Sequence, residues 1–248
     1  MEEALTLSVD VGATSVKATC VARDGLVVGP VRRRRTRYPL DPDSLVAAIG
    51  ELATTLEPAA RAAVGFPGLV RHGRVLSAAN LARVGGPGTP IDEHLVQRWH
   101  RFDLAGALAG ILGVEVRVAN DADVAALSCS TGRGVELTVT LGSGVGTGLV
   151  VDGRLAPHLE LSELPLEGAA CLDDLVGERA RKHLEPAEWD RRVVLVVDQL
   201  DRIVHFDRCA LTGGNARRLR RDALGDLLAR VEVMDDGAGL AGGVRLFD

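Results

Sequence analysis

Two glycine-rich turns in similar settings constrain the fold of this chain most. The first turn, Gly12-Ala13-Thr14, lies between predicted strands over 4–10 and 15–22. The second turn, residues 142–148, follows a predicted strand over 135–141. After each turn the chain continues as alternating strands and helices. This repetition predicts an α/β protein built from two related lobes.

The rest of the chain fits the same pattern. Further strands are predicted over 26–38, 61–66, 114–118, 147–151 and 208–212, and helices over 44–56, 103–112, 173–184 and 188–206. Another helix is predicted to begin at Gly213-Gly214-Asn215, and the stretch 237–247 is predicted to be a helix packed closely on a neighbour. No linker is evident, which favours a first lobe over 1–118, a second over 119–248 and a cleft between them. The last helix could return to the first lobe.

Composition excludes several classes of protein. Of 248 residues, 46% are apolar, 25% are charged and the net charge is −5. These values exclude a disordered chain and argue against non-specific nucleic-acid binding. No apolar run is long enough to span a membrane, and the acidic N-terminus does not resemble a signal peptide. The four cysteines lack zinc-ligand spacing, so we expect reduced thiols, no zinc and a cytoplasmic location.

Each glycine turn carries residues suited to binding phosphate. In the first, Asp10 ends a strand ahead of Gly12 and Thr14, with Lys17 beyond them. Backbone N–H groups at such a turn can contact a phosphate, and Asp10 could hold Mg²⁺, directly or through water. An ordinary hairpin with a capping aspartate would look the same. The second turn follows Thr140 and contains Gly142, Ser143 and Gly144; it is neither a Walker A loop nor a Rossmann fingerprint.

Asn120 and Asp121 stand where a predicted strand gives way to a helix. One interpretation is a helix N-cap, for which these residue types are usual. The other is catalytic, with Asp121 taking the proton of an attacking hydroxyl that Asn120 orients. One carboxylate and two phosphate-binding turns would suffice for phosphoryl transfer, in which positioning and charge stabilisation dominate.

Six segments together resemble the ROK family of sugar kinases, in the actin/hexokinase superfamily, and especially its short polyphosphate glucokinase-like branch. They follow in the family's order: DVGATSVKA, VGFPGLVRHGRVLSAANL, VANDADVAAL, VTLGSGVGTGLVVDGRL, LTGGNAR and GAGLAGGVRLF. The resemblance implies two actin-like (ribonuclease H-like) lobes. It also implies a Mg²⁺-dependent phosphotransferase with ATP or polyphosphate as donor and the 6-hydroxyl of a hexose as the usual acceptor.

The resemblance also implies roles for individual residues. Asp121 would be the catalytic base, and Gly68, Asn80, Asn120 and Glu160 would join it around the sugar. Phosphate would be bound by Asp10, Gly12, Thr14, Lys17, Thr140, Gly142, Ser143 and Gly144, with Asp10 near Mg²⁺, and the nucleotide side would be bordered by Gly213, Gly214 and Asn215. No membrane or nucleic-acid partner is implied, and a homodimer would be compatible.

The sequence departs from the family after the second turn. Glu163 stands where the family has a histidine, three residues after Glu160, and a further family glutamate falls near Leu172 or Asp173. Two neighbouring carboxylates repel each other unless one is protonated or a cation lies between them. Since an amino sugar would supply that cation, the acceptor is either an aminohexose or a neutral hexose with Glu163 turned to solvent.

Two alternatives remain open at this level. The arginine run Arg32–Arg35 with Arg37 is either a solvated strand edge or a track for polyphosphate. The chain as a whole is either a kinase or a non-catalytic sugar sensor on the same fold. Family members that act as repressors carry a DNA-binding module ahead of the first turn. Only nine residues precede Asp10 in this sequence.

Overall fold

The structure, a computed structural model, describes residues 4–234 and 238–248. The strands are β1 (Thr6–Val11), β2 (Ser15–Val21), β3 (Val27–Arg35), β4 (Arg61–Phe66), β5 (Val70–Arg71), β6 (Arg74–Val75), β7 (Glu115–Asn120), β8 (Val135–Leu141), β9 (Val145–Val151), β10 (Arg154–Leu155), β11 (Arg208–Thr212) and β12 (Val231–Val233). The helices are α1 (Pro42–Ala53), α2 (Glu93–Trp99), α3 (Leu104–Leu112), α4 (Asp121–Cys129), α5 (Leu172–Val176), α6 (Glu178–His183), α7 (Pro186–Val204) and α8 (Ala238–Ala241). Short 3-10 helices span Ala79–Leu81, Leu161–Glu163, Ala216–Arg218, Arg221–Ala229 and Gly242–Phe247.

The two main sheets have the same topology. One has the strand order β3-β2-β1-β4-β7 and the other β10-β9-β8-β11-β12. In each sheet, the three strands that come first in the chain form an antiparallel meander. Two further strands are parallel: one pairs with the first strand of the meander, and the other pairs with that added strand. The predicted pair of related α/β lobes is therefore confirmed at the level of topology. In each sheet the glycine turn joins the first and second strands of the meander.

Contacts within the chain divide it into two compact units. One ends at Val124 and also includes Gly239–Asp248, and the other is Ala125–Ala238. The first unit extends beyond the expected boundary at residue 118 because the start of α4 packs on β4. A β-carbon on Gly65 of β4 would lie 3.4 Å from Asp121 Cα and 3.6 Å from Val124 Cγ2. Each unit has its own apolar core between its sheet and its helices.

Residues 239–248 pack on β1 and β4 of the first unit. Ser8 donates a hydrogen bond to the carbonyl of Leu240 at 2.6 Å. Gly243 lies so close to Ser8 and Ala63 that a β-carbon there would approach their side chains to 2.7 and 2.9 Å. The Phe247 ring is covered by the guanidinium groups of Arg61 and Arg117, at 4.4 and 4.7 Å from its centroid.

Sequence capping signals explain several helix boundaries. Asp41 accepts a hydrogen bond from Ser44 N–H ahead of Pro42, and Asp103 does the same for Gly106 at the start of α3. In α7 the buried stripe of Trp189, Val193, Val196 and Leu200 has helical spacing. Ile203, predicted to continue that stripe, is 45% exposed because α7 ends one residue later at Val204.

Other sequence predictions were wrong in detail. The single helix over 173–184 is two helices, because Gly177 is extended between α5 and α6. The helix expected to begin at Gly213-Gly214-Asn215 is only the 3-10 helix Ala216–Arg218. α2 was not predicted, and β9 begins at Val145 rather than residue 147. The predicted helix over 237–247 comprises α8 and a 3-10 helix, while its first residue lies outside the described ranges.

Among the helices of the described ranges, none has the length and apolar character required to cross a bilayer.

Candidate active site

The first glycine turn is held by a loop that follows β3. Gly12 N–H donates to Ser15 O across the turn at 3.0 Å. The Thr36 hydroxyl donates to Gly12 O at 2.8 Å, and Thr36 N–H donates to Thr14 O at 3.0 Å. The Tyr38 hydroxyl donates to Ala13 O at 2.9 Å. These bonds occupy the turn's carbonyls and leave Thr14 exposed.

Asp10 and Lys17 form an ion pair directly below this turn. The two residues are opposite each other on β1 and β2, and Lys17 Nζ lies 3.0 Å from Asp10 Oδ2. Magnesium is usually held by one or two carboxylates together with phosphate oxygens and water. A single carboxylate beside a turn that is predicted to bind phosphate fits that donor set. Elsewhere in the described ranges, no group of three or more His, Cys, Asp or Glu side chains could hold a metal ion.

Asn120 fixes the junction between β7 and α4. Its side-chain N–H donates to Gly68 O at 3.1 Å, and its side-chain oxygen accepts the Ala122 N–H at 2.8 Å. Asp121 Oδ1 also accepts from Ala122 N–H, at 2.9 Å. The helix-capping interpretation is therefore correct for Asn120. The same two bonds also set the position of Gly68 relative to Asp121, so capping and an active-site role are compatible.

Gly68 is required by a close approach of two backbone segments. A β-carbon at this position would lie 2.2 Å from Ser77 O, which no side chain could tolerate. Asn80 belongs to the following 3-10 helix, is exposed, and accepts a hydrogen bond from Arg83 Nε at 3.1 Å. The structure thus joins Gly68, Asn120 and Asp121 through direct contacts, whereas Asn80 contacts its own loop.

In the second unit, the glycine turn and the Gly213-Gly214-Asn215 motif are in direct contact. The turn is closed by a hydrogen bond from Gly142 N–H to Gly144 O at 2.9 Å, while Ser143 is exposed. Asn215 donates its backbone N–H to Leu141 O and its side-chain N–H to Gly142 O, both at 2.9 Å. Gly213 has φ +91°, and a β-carbon there would lie 2.6 Å from Leu141 O.

Thr140 supports the same turn from the strand that precedes it. Its hydroxyl oxygen accepts the Gly146 N–H at 3.1 Å. Gly214 follows the left-handed Gly213 and is partly exposed. The predicted phosphate-binding and nucleotide-binding residues of this unit therefore form one continuous backbone surface.

Glu178 connects these elements to α6. Its Oε2 accepts a hydrogen bond from Asn215 Nδ2 at 2.9 Å and its backbone N–H contacts Ser143 O at 3.4 Å. Arg181 and Lys182 neutralise the carboxylate from one turn further along the helix. The pKa of Glu178 falls to about 2, mainly through its hydrogen bonds with Arg181 and also through Asn215 and Lys182. Sequence reasoning missed this residue, since its contacts arise only from the fold.

Asp173 lies beneath the second turn. Its Oδ1 accepts the Val145 N–H at 2.5 Å, and the carboxylate lies against Gly144. Burial raises the pKa of Asp173 above its usual value, and the negative charge of Glu163 raises it further. Glu163 and Asp173 are therefore electrostatic neighbours.

Glu160 lies beside His158, a histidine that sequence reasoning did not assign to the site. His158 is buried, and its Nε2 lies 3.3 Å from Glu160 Oε1. The Thr147 hydroxyl of β9 donates to Leu159 O at 3.2 Å and fixes the segment between them. Glu163 N–H then donates to Glu160 O at 3.1 Å. The exposed carboxylates of Glu160 and Glu163 thus belong to one short segment that these hydrogen bonds hold in place.

Comparison with known proteins gives one family match and many structural likenesses. The profile of the ROK family matches residues 6–157. The polyphosphate glucokinase of Mycobacterium tuberculosis is 26% identical over 218 residues, which cover 85% of this chain and 77% of that protein. The N-acetylmannosamine kinase of Citrobacter koseri is 30% identical over 179 residues, which cover 67% of this chain and 57% of that protein.

A solved structure extends the likeness to the whole fold. The inorganic polyphosphate/ATP-glucomannokinase of Arthrobacter sp. strain KM superposes with a TM-score of 0.79, at 27% identity and with 97% of each chain covered. The predicted actin-like α/β fold is therefore confirmed.

Proposed function

Since the chain belongs to the ROK family, we propose that it is a sugar kinase that transfers a phosphoryl group from ATP or polyphosphate to a hydroxyl of a hexose or aminohexose. The three relatives described above are all named as kinases of sugars or of an N-acetylated amino sugar. Their names supply the substrate class, and the residues of this chain supply the roles within it.

Asp121 is the proposed general base. It begins α4 beside Asn120, whose amide is committed at both ends to Gly68 O and Ala122 N–H. That commitment is the observation that carries the proposal, because it sets the base in place before any sugar binds. A carboxylate fixed in this way can take the proton of the sugar hydroxyl, normally the 6-hydroxyl, as that oxygen attacks phosphorus.

The two glycine turns are the proposed phosphate sites. Their carbonyls bond within the protein, as Gly12 O does to Thr36 and Gly142 O to Asn215. Oxygen atoms held in this way do not face an incoming phosphate. This favours anion binding by the hydroxyls of the turns and by those N–H groups that are not already bonded within the protein, as those of Gly12 and Gly142 are. When bound by Asp10 and the donor phosphates, Mg²⁺ would neutralise part of the phosphate charge. Gly213, Gly214 and Asn215 would border the nucleotide, while Asn80, Glu160 and Glu163 would complete the sugar site.

The substitution Asp121→Asn tests this proposal. It should lower kcat by about 10²- to 10⁴-fold, the usual contribution of a general base, and leave the sugar Kd nearly unchanged. Sugar phosphate formation gives kcat, and calorimetry gives the sugar Kd. Asp43→Asn is the matched control, since Asp43 is an exposed carboxylate in the first turn of α1. A wild-type protein that binds sugar but never phosphorylates it with either donor would favour the sensor interpretation.

A further inference from the structure

The exposed edge strand β3 carries four consecutive arginines, Arg32–Arg35, in a chain whose net charge is −5. All residues of β3 are exposed except the partly buried Arg34. Charge on an edge strand is a common way to prevent edge-to-edge aggregation. That role requires charge along the edge but does not dictate which face of the sheet each arginine occupies.

Strand register divides the arginines between two faces. Asp10 is opposite Lys17, Lys17 is opposite Arg33, and directly opposed residues share a face. Arg35 lies two residues beyond Arg33 and therefore on the same face, about 7 Å along the strand. We call Lys17, Arg33 and Arg35 the basic row. Arg32 and Arg34 occupy the opposite face, where Arg34 pairs with Glu51 of α1.

The basic row begins at the first glycine turn. Arg35 is opposite Ser15, the residue that closes the turn. The next residue, Thr36, donates two hydrogen bonds to turn carbonyls, at 2.8 and 3.0 Å. Because Arg35 directly precedes Thr36 in the chain, these two hydrogen bonds also fix the position of the Arg35 backbone relative to the turn.

The charges of Arg33 and Arg35 are not compensated. Within the described residues, neither has an acidic partner within ion-pair distance, whereas Arg34 and Lys17 each have one. Adjacent unpaired cations repel each other weakly in water, and an anion bound beside both of them would relieve that repulsion. A row that starts at a phosphate-binding turn suits an anion with charges at regular spacing along its length.

We propose that the basic row binds the distal phosphates of a linear polyphosphate whose reacting end lies at the first glycine turn. This inference rests on the proposed kinase function and assigns residues to the polyphosphate donor. A longer chain reaches more of the row than a short one. Arginine suits the task because its planar guanidinium can bind phosphate oxygens in pairs.

A pair of double variants on the two faces tests the proposal. Arg33→Gln with Arg35→Gln removes two charges from the row, and Arg32→Gln with Arg34→Gln removes two from the opposite face of the same strand. The first pair should weaken binding of long-chain polyphosphate, measured by calorimetry without sugar, by about tenfold. It should also lower the ratio of kcat/KM for polyphosphate over ATP by a similar factor. The second pair should leave both quantities within about twofold.

A lysine double variant and additional ligands distinguish specific polyphosphate binding from a general charge effect. Arg33→Lys with Arg35→Lys keeps the charge and should recover most of the binding, which also guards against a folding defect in the glutamine pair. Equal losses in the two glutamine pairs would show a general charge effect and overturn the proposal. So would equally tight binding of a single-stranded oligonucleotide, or a wild-type enzyme active with ATP but not polyphosphate. Inactivity with both donors would instead count against the kinase function itself.

Discussion

The carboxylate of Glu178 accepts a hydrogen bond from the side-chain amide of Asn215 at 2.9 Å. The same amide nitrogen donates to Gly142 O, so one asparagine ties α6 to the second glycine turn. Glu178 never contacts the turn with its side chain. It acts through Asn215 and is therefore a positioning residue for the proposed donor site.

Replacing Glu178 with glutamine should raise the KM for ATP about fivefold with a smaller change in kcat. The amide of glutamine keeps one acceptor oxygen but loses the charge that Arg181 and Lys182 stabilise, which weakens the anchor on Asn215. Initial-rate kinetics over a range of ATP concentrations would measure the effect. Because the pKa of Glu178 is about 2, the wild-type KM should not vary with pH between 5 and 8 through this group.

Glu188→Gln is the matched control for that experiment. Glu188 also pairs with two arginines, Arg191 and Arg192, and its pKa also falls to about 2. It contacts no glycine turn. If the two glutamine variants raised the KM for ATP equally, the positioning role of Glu178 would be excluded.

The substitution Asp173→Asn should raise the free energy of unfolding, relative to the wild type, more at neutral pH than at acidic pH. Burial and the charge of Glu163 raise the pKa of Asp173 in the folded protein. The contribution of Asp173 to stability is therefore full below its unfolded pKa and is lost as pH rises through the folded value. Asparagine retains an acceptor for Val145 N–H and has no charge to lose. Urea unfolding of both proteins at pH 3.5 and 7 would show a difference that grows in favour of the variant as pH rises.

The neighbouring substitution Asp174→Asn provides the comparison. Asp174 is 39% exposed and pairs with Arg179 at 2.9 Å. Its gain at pH 7 should be smaller, because the charge of Asp174 raises the pKa of Asp173 less than burial and Glu163 do, and its removal also breaks the pair with Arg179. A pH-independent difference between Asp173→Asn and the wild type would contradict the electrostatic account.

Glu136→Gln should destabilise the second unit by about 2–3 kcal/mol at pH 7. Burial alone would raise the pKa of Glu136, but hydrogen bonds from Ser130, Thr131 and Gly132 outweigh burial and lower it. The carboxylate therefore contributes stability above its unfolded pKa, and this is lost as pH falls through the lower folded value. The deficit of the variant should shrink below about pH 4. Glu232→Gln, which removes an exposed partner of the same Arg208, should cost far less.

Glu163→Gln should lower the preference for an aminohexose acceptor. We expect the ratio of kcat/KM for glucosamine over glucose to fall about tenfold, because a charge-assisted hydrogen bond to the ammonium would be replaced by a neutral one. The exposed Glu167, four residues further along, offers a control substitution of the same kind. A wild-type enzyme that strongly preferred neutral glucose would remove the basis for this prediction.

Most strands of the two sheets were predictable because they combine apolar residues with a clear turn signal, whereas the short strands β10 and β12 were not predicted. β4, β8 and β11 have the bounds that the sequence predicts. α2 escaped prediction because it buries only Leu95 and Trp99, too few for a periodic signal. After Gly213, Asn215 bonds to Leu141 and Gly142 in a neighbouring strand and turn, which replaces the helix expected there.

The residues of the candidate site likewise divide into those that the sequence predicts and those that only the fold identifies. Asp121, Asn120 and the two glycine turns are recognisable because their function requires particular residue types at short spacing. Three other residues act through contacts that only the fold creates. Glu178 accepts a hydrogen bond from Asn215, Asp173 accepts one beside the second glycine turn, and His158 lies beside Glu160. No local pattern distinguishes them from ordinary surface or core residues, so only the folded chain identifies them.

The packing of residues 239–248 on β1 and β4 affects the order in which the protein can fold during synthesis. The strands that carry Ser8 and Ala63 leave the ribosome early, but the segment that covers them is made more than a hundred residues later. Until then Arg61 and Arg117 lack the aromatic ring that lies between them. The first glycine turn therefore belongs to a unit that cannot be completed until residues 239–248 have been synthesised.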